Sequence, residues 1–126
     1  MVAYVLRGRE LLVFEHGAFP DAGTQVPAGT VEEHEAAEVA VVREVREETG
    51  LDTRLVRELG VTDEIAPRGE PRRNIFFQLE TEEPRDMWEH VVLGGGGDDG
   101  LVFVCRFVPL APRPALIADA DFLDAL

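Results

Sequence analysis

The first quarter of the chain alternates between short apolar runs and polar turns, a spacing typical of β-strands. Val2–Leu6 and Leu11–Glu15 are two such runs, and the sequence Arg-Gly-Arg-Glu at residues 7–10 between them predicts a hairpin. Residues 17–23 contain glycine and proline and predict a loop, and Thr24–Val26 predicts a short third strand. The chain is therefore expected to begin as an antiparallel sheet.

Between residues 35 and 49 the apolar spacing changes from the period of a strand to that of a helix. We expect the helix to begin at Glu35 or Ala36 and to end at Thr49, because Gly50 suits the left-handed conformation that closes helices. Two neighbouring stripes of apolar or small side chains run along this helix, which indicates packing on one side. They are Ala37, Ala40 and Val41, and Val42, Val45 and Thr49.

The second half of the chain returns to apolar runs joined by polar connections. Strands are predicted at Arg54–Ile65, with an interruption near Gly60, at Ile75–Leu79 and at Leu101–Val108. Residues 88–93 are predicted to form either a strand or a lid. The connections are expected at residues 66–73, 80–86, 94–100 and 109–114. An amphipathic helix is expected at Asp119–Leu126.

Three carboxylates concentrate at the end of the predicted helix. Glu44, Glu47 and Glu48 are spaced i, i+3 and i+4, so they fall within an arc of roughly 100° on one face. Like charges at this spacing each cost about 0.2–0.5 kcal/mol. A cation in front of the face would offset that cost, and Mg²⁺ binds one or two carboxylates together with water and substrate phosphates. The alternative is the solvated acidic face of a surface helix.

The segment from Gly29 to Leu51 resembles the Nudix box. The family pattern has Gly, five residues, Glu, seven residues, Arg-Glu, an aliphatic residue, any residue, Glu-Glu, any residue, Gly and an aliphatic residue. Here it reads Gly29, Glu35 and then REVREETGL from Arg43 to Leu51, without a departure. Because nine positions are constrained over a fixed length, the match favours a metal site over a merely acidic surface.

The resemblance implies an α+β fold, a mixed β-sheet between helices, as a single domain over residues 1–126. It implies hydrolysis, with Mg²⁺ or Mn²⁺, of a phosphoanhydride in a nucleoside diphosphate linked to another group. Glu44, Glu47 and Glu48 are its expected metal ligands, joined by the main-chain carbonyl of Ala28. Arg43 is expected to orient Glu47 or Glu44 through a bidentate pair. Three further residues, Gly29, Glu35 and Gly50, are expected to shape the loops around the helix.

A general base is also needed, and in the family it lies either in the box or in a downstream loop. Asp98 and Asp99 are the preferred candidates, because the glycines around them could let a loop close over substrate. Glu89 is a further candidate, and Glu64 and Glu70 are weaker ones. Each of these acids could equally be an ordinary surface residue.

The substrate is less strongly indicated. A cluster of positive charge at Arg68, Arg72 and Arg73 could bind phosphate or carboxylate, or could be solvated loop charge. Pro67 lies sixteen residues after Leu51, a position where family members that act on ADP-ribose often have proline. An ADP-ribose-like compound and a nucleoside triphosphate both remain open. Four aromatic residues could stack on a base, although two of them are expected to be strand residues with one ring in the core: Phe19, Phe76, Phe77 and Trp88.

Composition limits the partners. The net charge is −13, so the surface is expected to repel nucleic-acid polymers and anionic membranes and to attract divalent cations. Arg7, Arg9 and Glu10 interrupt the first apolar runs, which argues against a signal peptide or a membrane span and favours a cytoplasmic protein. The single Cys105 is expected to be an inert core residue. A homodimer is left open.

Two other functions compete with hydrolysis. One is a Nudix-fold module that senses a nucleotide without hydrolysing it, and the other is an isomerase or another non-hydrolytic member. Both would be expected to lose a carboxylate of the box, and this chain keeps all of them.

Overall fold

The computed structural model describes residues 1–126 and contains one mixed six-stranded sheet. The strands are β1 (Val2–Arg7), β2 (Glu10–His16), β3 (Arg54–Ile65), β4 (Pro71–Glu80), β5 (Met87–Val91) and β6 (Val102–Pro109). Their spatial order is β3-β4-β1-β2-β6-β5. β1 and β4 are parallel and every other neighbouring pair is antiparallel. The predicted hairpin of β1 and β2 is confirmed.

The single α-helix, α1 (Ala37–Thr49), connects β2 to β3 and packs on one face of the sheet. It begins one or two residues later than predicted, after Ala36, whose backbone is extended. It ends as predicted, because Gly50 has a left-handed backbone with φ of 78° and its N–H donates to the carbonyl of Arg46. A residue with a side chain is strained in that conformation, so glycine is the suitable residue here.

Two hydrophobic cores lie on opposite faces of the sheet, because successive strand residues point to opposite sides. The first core joins Ala40, Val41 and Val45 of α1 to the sheet. The second lies under the C-terminal segment. Phe76 belongs to the second core and Phe77 to the first, and both rings are fully buried. The prediction that only one of these two rings lies in the core was wrong, and neither can stack on a substrate.

The C-terminal segment covers the second face without forming the α-helix predicted at Asp119–Leu126. Only a 3₁₀ turn forms, at Leu123–Ala125. Asp119 has a positive φ of 61°, and a helix of eight residues has little intrinsic stability. The segment is held by Tyr4, whose hydroxyl donates to the carbonyl of Asp119 at 2.6 Å and accepts from the N–H of Phe122 at 3.3 Å.

Two other boundaries differ from the prediction. The short strand expected at Thr24–Val26 is reduced to a single bridge between Gln25 and Phe14. The polar loop expected at residues 66–73 is shorter, because Pro71–Arg73 already belong to β4 and pair with β3. The interruption expected near Gly60 is an irregularity in the β3–β4 register between Glu58 and Gly60.

Cys105 is fully buried in the first core, and burial raises the pKa of its thiol to about 12. A thiol with this pKa is almost entirely protonated at neutral pH and is a poor nucleophile. The structure therefore agrees with an inert core cysteine. No helix in the fold combines the length and the apolar character needed to cross a membrane.

Candidate active site

A cleft of about 360 Å³ opens between the C-terminal half of α1, the chain around Ala28 and the loop after β5. Glu44, Glu47 and Glu48 line it together, as the helical spacing predicts. Asp98 and Asp99 line it from the loop on the opposite side. Glu32 also lines the cleft, which thus gathers carboxylates from three segments, two of them about fifty residues apart in sequence.

Arg43 binds three of the carboxylates at the edge of this cleft. Its guanidinium donates two hydrogen bonds to Glu35, from Nε at 2.8 Å and from Nη2 at 2.9 Å. Nη1 donates one bond each to Glu44 and Glu47, both at 3.1 Å. The bidentate partner is therefore Glu35, and the prediction of Glu47 or Glu44 in that role was wrong. Glu35 was expected to fix the loop before the helix, and its bond from the Glu32 N–H does this at 3.1 Å.

The Arg43 pairs change the acidity of their partners. The guanidinium holds the pKa of the Glu35 carboxyl below its usual range through hydrogen bonds. For Glu44 burial is the larger influence and raises the pKa, while the charge of Arg43 opposes that rise. Arg43 is thus the counter-charge that allows several acids to lie close together on one helix.

Glu48 is the most buried carboxylate of the cleft, with 6% of its surface exposed. It accepts one hydrogen bond, from the Ala28 N–H at 3.3 Å. Burial, and after it the charges of Glu44, Asp98 and Glu47, together raise its pKa to about 9. A buried carboxylate with one long hydrogen bond and several anionic neighbours is stabilised when a cation binds beside it.

The backbone at Ala28 adds a neutral oxygen to this site. Ala28 forms a bridge with Val2, in which the Ala3 N–H donates to Pro27 and the Gly29 N–H donates to Met1. Its own carbonyl accepts no hydrogen bond. Because the N–H and C=O of an extended residue point to the same side, this carbonyl faces the side where the N–H meets Glu48.

These residues fit a hard divalent cation. Carboxylates and a free main-chain carbonyl are the donors that Mg²⁺ prefers. No three His, Cys, Asp or Glu side chains are gathered closely enough to hold an ion by themselves. Water and substrate phosphates would complete the coordination, as is usual for Mg²⁺. Gly29 lies against the same cluster, because a Cβ at that position would lie 2.3 Å from the Glu44 carboxyl carbon.

Three residues that contact Glu47 were missed by the sequence analysis. His90 Nε2 lies 3.0 Å from the Glu47 carbonyl oxygen, and the Leu93 N–H donates to the same oxygen at 3.1 Å. A Cβ on Gly94 would lie 2.4 Å from the Glu47 carboxyl carbon. The run of glycines was a signal that the backbone closely approaches another group. No local signal marked His90.

The structure does not bring the predicted arginine cluster into the cleft. Arg68 is exposed in the turn between β3 and β4. Arg73 is paired with Asp63 across the two strands, and Arg72 with Glu64. Only Arg72 borders a depression of about 250 Å³ beside Ala28 and Gly29. The sequence cluster is split because its members belong to a turn and a strand.

Other candidates are also outside the cleft. Glu89 is exposed on β5, whose alternate residues Trp88 and His90 contact α1, so Glu89 points to the other side. Glu64 is bonded to Arg72 and Asn74, and Glu70 is exposed in the turn before β4. Trp88 is buried, and its Nε1 donates to the Thr49 carbonyl at 2.8 Å, so it holds the end of α1. Of the proposed stacking residues, only Phe19 is exposed.

Comparisons with known proteins point to the family that the box indicates. The family model of the NUDIX domain matches residues 1–115. Nudix hydrolase 5 of Arabidopsis thaliana is 37% identical over an alignment of 84 residues, which covers 64% of this chain and 28% of that protein. The "Putative 8-oxo-dGTP diphosphatase YtkD" of Bacillus subtilis (strain 168) is 37% identical over 70 residues, which covers 56% of this chain and 42% of that protein.

The chain thus spans less than half the length of these two curated relatives. Among solved structures, that of a UDP-X diphosphatase superposes with a TM-score of 0.63 at 16% identity, over 92% of this chain and 52% of the other. At this identity the superposition supports the fold alone. The family model matches residues 1–115, the box from Gly29 to Leu51 is complete, and the sheet carries a single packed helix. The chain therefore belongs to the Nudix family.

Proposed function

We propose that the protein hydrolyses a phosphoanhydride bond in a nucleoside diphosphate linked to another group, with Mg²⁺ as its cofactor and Mn²⁺ as a substitute. The observation that carries the proposal is the cleft in which Glu44, Glu47 and Glu48 of one helix meet the free carbonyl of Ala28. The name of the Bacillus subtilis relative, a nucleotide diphosphatase, agrees with this reaction class.

The protein residues have distinct parts in this proposal. Glu44, Glu47, Glu48 and the Ala28 carbonyl would hold the cation, which supplies charge neutralisation at the phosphate oxygens and acidifies water when bound. Arg43 fixes Glu44 and Glu47 through Nη1 while Glu35 fixes Arg43. Since hydrolysis of an anhydride needs mostly positioning and charge stabilisation, these fixed carboxylates are the main contribution of the protein.

Asp98 is the preferred general base within the proposal. It lines the cleft, and its charge contributes to the raised pKa of Glu48, which indicates that the two carboxylates are near each other. Asp99 lines the same cleft and is the second candidate. Both lie in the loop after β5, opposite the helix. The base would remove a proton from the attacking water at a carboxylate oxygen.

A neighbouring cavity of about 220 Å³ supports a nucleoside substrate. It shares Ala28, Glu48 and Asp98 with the cleft, so a ligand could extend from one into the other. Five of its nine lining residues are hydrophobic, and Gln25, Glu48, Asp98 and Asp119 add an amide and three carboxylates, so its exposed surface is more polar than apolar. Hydrophobic side chains together with hydrogen-bonding groups that fix the orientation suit a nucleobase. An ADP-ribose-like compound and a nucleoside triphosphate are both compatible with this arrangement.

The proposal extends to the partners of the protein. Its substrate would be a small nucleotide in the cytoplasm and not a nucleic-acid polymer, since the net charge of −13 opposes binding to a polyanion. A homodimer is the open alternative to a monomer.

The test is a screen of phosphoanhydride compounds with Mg²⁺ and identification of the products, for the protein and for Glu48→Gln. We expect release of a nucleoside monophosphate, and a loss of about a hundredfold in kcat for the variant. The melting temperature of the metal-free variant should stay equal or rise, because a neutral amide replaces a buried acid. Glu38→Gln on the exposed face of α1 is the matched control and should keep full activity. A fully active Glu48→Gln would remove this carboxylate from the proposed site.

A further inference from the structure

The carboxylate of Glu47 is held between two groups. On one side Arg43 Nη1 donates to its Oε2 at 3.1 Å. On the other side it lies against the backbone of Gly94, where a Cβ would be 2.4 Å from both the carboxyl carbon and Oε2. Real Cβ atoms do not approach other heavy atoms this closely, so a side chain at position 94 would displace the carboxylate or the loop.

The backbone at Gly94 is poorly placed to move away. The Val92 N–H donates to the Leu101 carbonyl at 2.8 Å, and the Gly100 N–H donates to the Val92 carbonyl at 2.9 Å. The Leu93 N–H donates to the carbonyl of Glu47 itself at 3.1 Å. The chain is therefore hydrogen-bonded up to the residue before Gly94. The Glu47 side chain is the group that would yield.

The other glycines of this loop have no such contact. A Cβ on Gly95, Gly96 or Gly97 would meet no atom within 4 Å. Gly95 also has a positive φ, of 73°, as Gly94 has, of 107°. Both Gly94 and Gly95 thus have a positive φ, whereas contact with the Glu47 carboxylate is found at Gly94 and at none of the other three glycines.

We propose that Gly94 is a positioning residue for the Glu47 carboxylate: its missing side chain allows Glu47 to face the cleft while it is bonded to Arg43. The inference rests on the proposed function, because the benefit of this position is the binding of a divalent cation and a diphosphate. Gly94, the first glycine of the loop, therefore has a fixed role beside Glu47. This role does not depend on any closing motion of the residues after it.

The experiment compares Gly94→Ala with Gly95→Ala, which also has a positive φ but no neighbouring atom within 4 Å of an added Cβ. Mn²⁺ binding to the protein without substrate is measured by electron paramagnetic resonance. We expect Kd to rise about tenfold or more for Gly94→Ala, as for other changes behind a metal ligand, and to change less than about twofold for Gly95→Ala. Equal affinities of the two variants would overturn the inference.

A second measurement follows the same contact without metal. The melting temperatures of both variants are determined with Glu47 present and with Glu47→Ala. The stability loss of Gly94→Ala relative to Gly95→Ala should be larger when Glu47 is present than in the Glu47→Ala background, because alanine at 47 leaves no carboxylate to displace. If the difference is the same in both backgrounds, Gly94 acts on something else and the inference is wrong. If the unaltered protein neither binds Mn²⁺ nor hydrolyses anhydrides, the proposed function fails, and the stability comparison still decides whether Gly94 positions Glu47.

Discussion

At the scale of single residues, the site depends on how one guanidinium is shared among several acids. Arg43 gives a planar pair of donors to Glu35 and leaves Nη1 for Glu44 and Glu47. A lysine has one compact charge and cannot reproduce this planar arrangement. The geometry of two proposed metal ligands therefore depends on a residue that does not itself bind the metal.

Arg43→Lys is expected to retain the fold and to lose most of the activity. A misplacement of the carboxylates by about 1 Å is enough for a loss of about a hundredfold in kcat. The melting temperature should fall modestly, because the bidentate pair with Glu35 is broken. Steady-state kinetics and thermal unfolding measure the two effects. Arg46→Lys on the same helix is the control, because the Arg46–Asp52 pair is exposed and contributes little. A fully active Arg43→Lys would show that a point charge at position 43 is sufficient.

At the scale of secondary-structure elements, the end of α1 is fixed by β5. Trp88 donates to the Thr49 carbonyl, and His90 contacts the Glu47 carbonyl. These contacts satisfy carbonyls that have no partner within the helix. Because Glu47 and Glu48 lie in this last turn, β5 also fixes the rotation of the carboxylates about the helix axis.

Gly50→Ala is expected to weaken this junction for two reasons. An alanine in the left-handed conformation costs about 1–2 kcal/mol, and its Cβ would lie 2.9 Å from Nδ1 of His90. Gly69→Ala carries the same type of strain, with φ of 84°, and meets no atom within 4 Å. Urea unfolding should therefore give a larger loss of stability for Gly50→Ala than for Gly69→Ala. Equal losses would mean that His90 moves aside without cost.

The elements also account for two of the mistaken predictions, the loop at residues 66–73 and the helix at Asp119–Leu126. β3 and β4 extend beyond the rest of the sheet, and charged residues pair across the extension, Asp63 with Arg73 and Glu64 with Arg72. In the sequence these charged residues predict a loop, because a strand that is exposed on both faces lacks the alternation of apolar and polar residues. The C-terminal residues have helical spacing, but apolar contacts with the sheet hold them as an irregular segment.

At the scale of the whole molecule, the two faces of the sheet are covered by different parts of the chain. α1 packs on one side and the C-terminal segment on the other. Tyr4 joins the two ends of the chain through the Asp119 carbonyl and the Phe122 N–H, and Gly60 allows the Phe122 ring to approach β3. The C-terminal segment also supplies Asp119 to the cavity beside the cleft, so it contributes to the proposed nucleoside pocket.

Tyr4→Phe is expected to loosen the C-terminal segment and to leave α1 intact. The change removes one donor and one acceptor inside the protein, for which about 1–3 kcal/mol of unfolding free energy is typical. Hydrogen exchange should become faster in residues 116–126. The amides of α1 should slow or speed only as much as the change in global unfolding free energy requires. Unchanged exchange in residues 116–126 would mean that apolar packing alone holds the segment.

The sequence by itself determined the helix, its glycine end and the carboxylate face, because helical periodicity and the box spacing are local properties of the chain. It also determined the first hairpin, since a charged turn between two apolar runs is local as well. Family membership followed from the same short segment.

Only the tertiary structure decided which groups meet those carboxylates. Side-chain directions make Glu35 the bidentate partner of Arg43 and bring His90 and Gly94 into contact with Glu47. Strand pairings place Arg68 and Arg73 outside the cleft. The contacts of His90 and Gly94 join residues more than forty positions apart, and no local pattern carries that information. Sheet register and helix packing bring them together, and both are settled by the burial of the two cores.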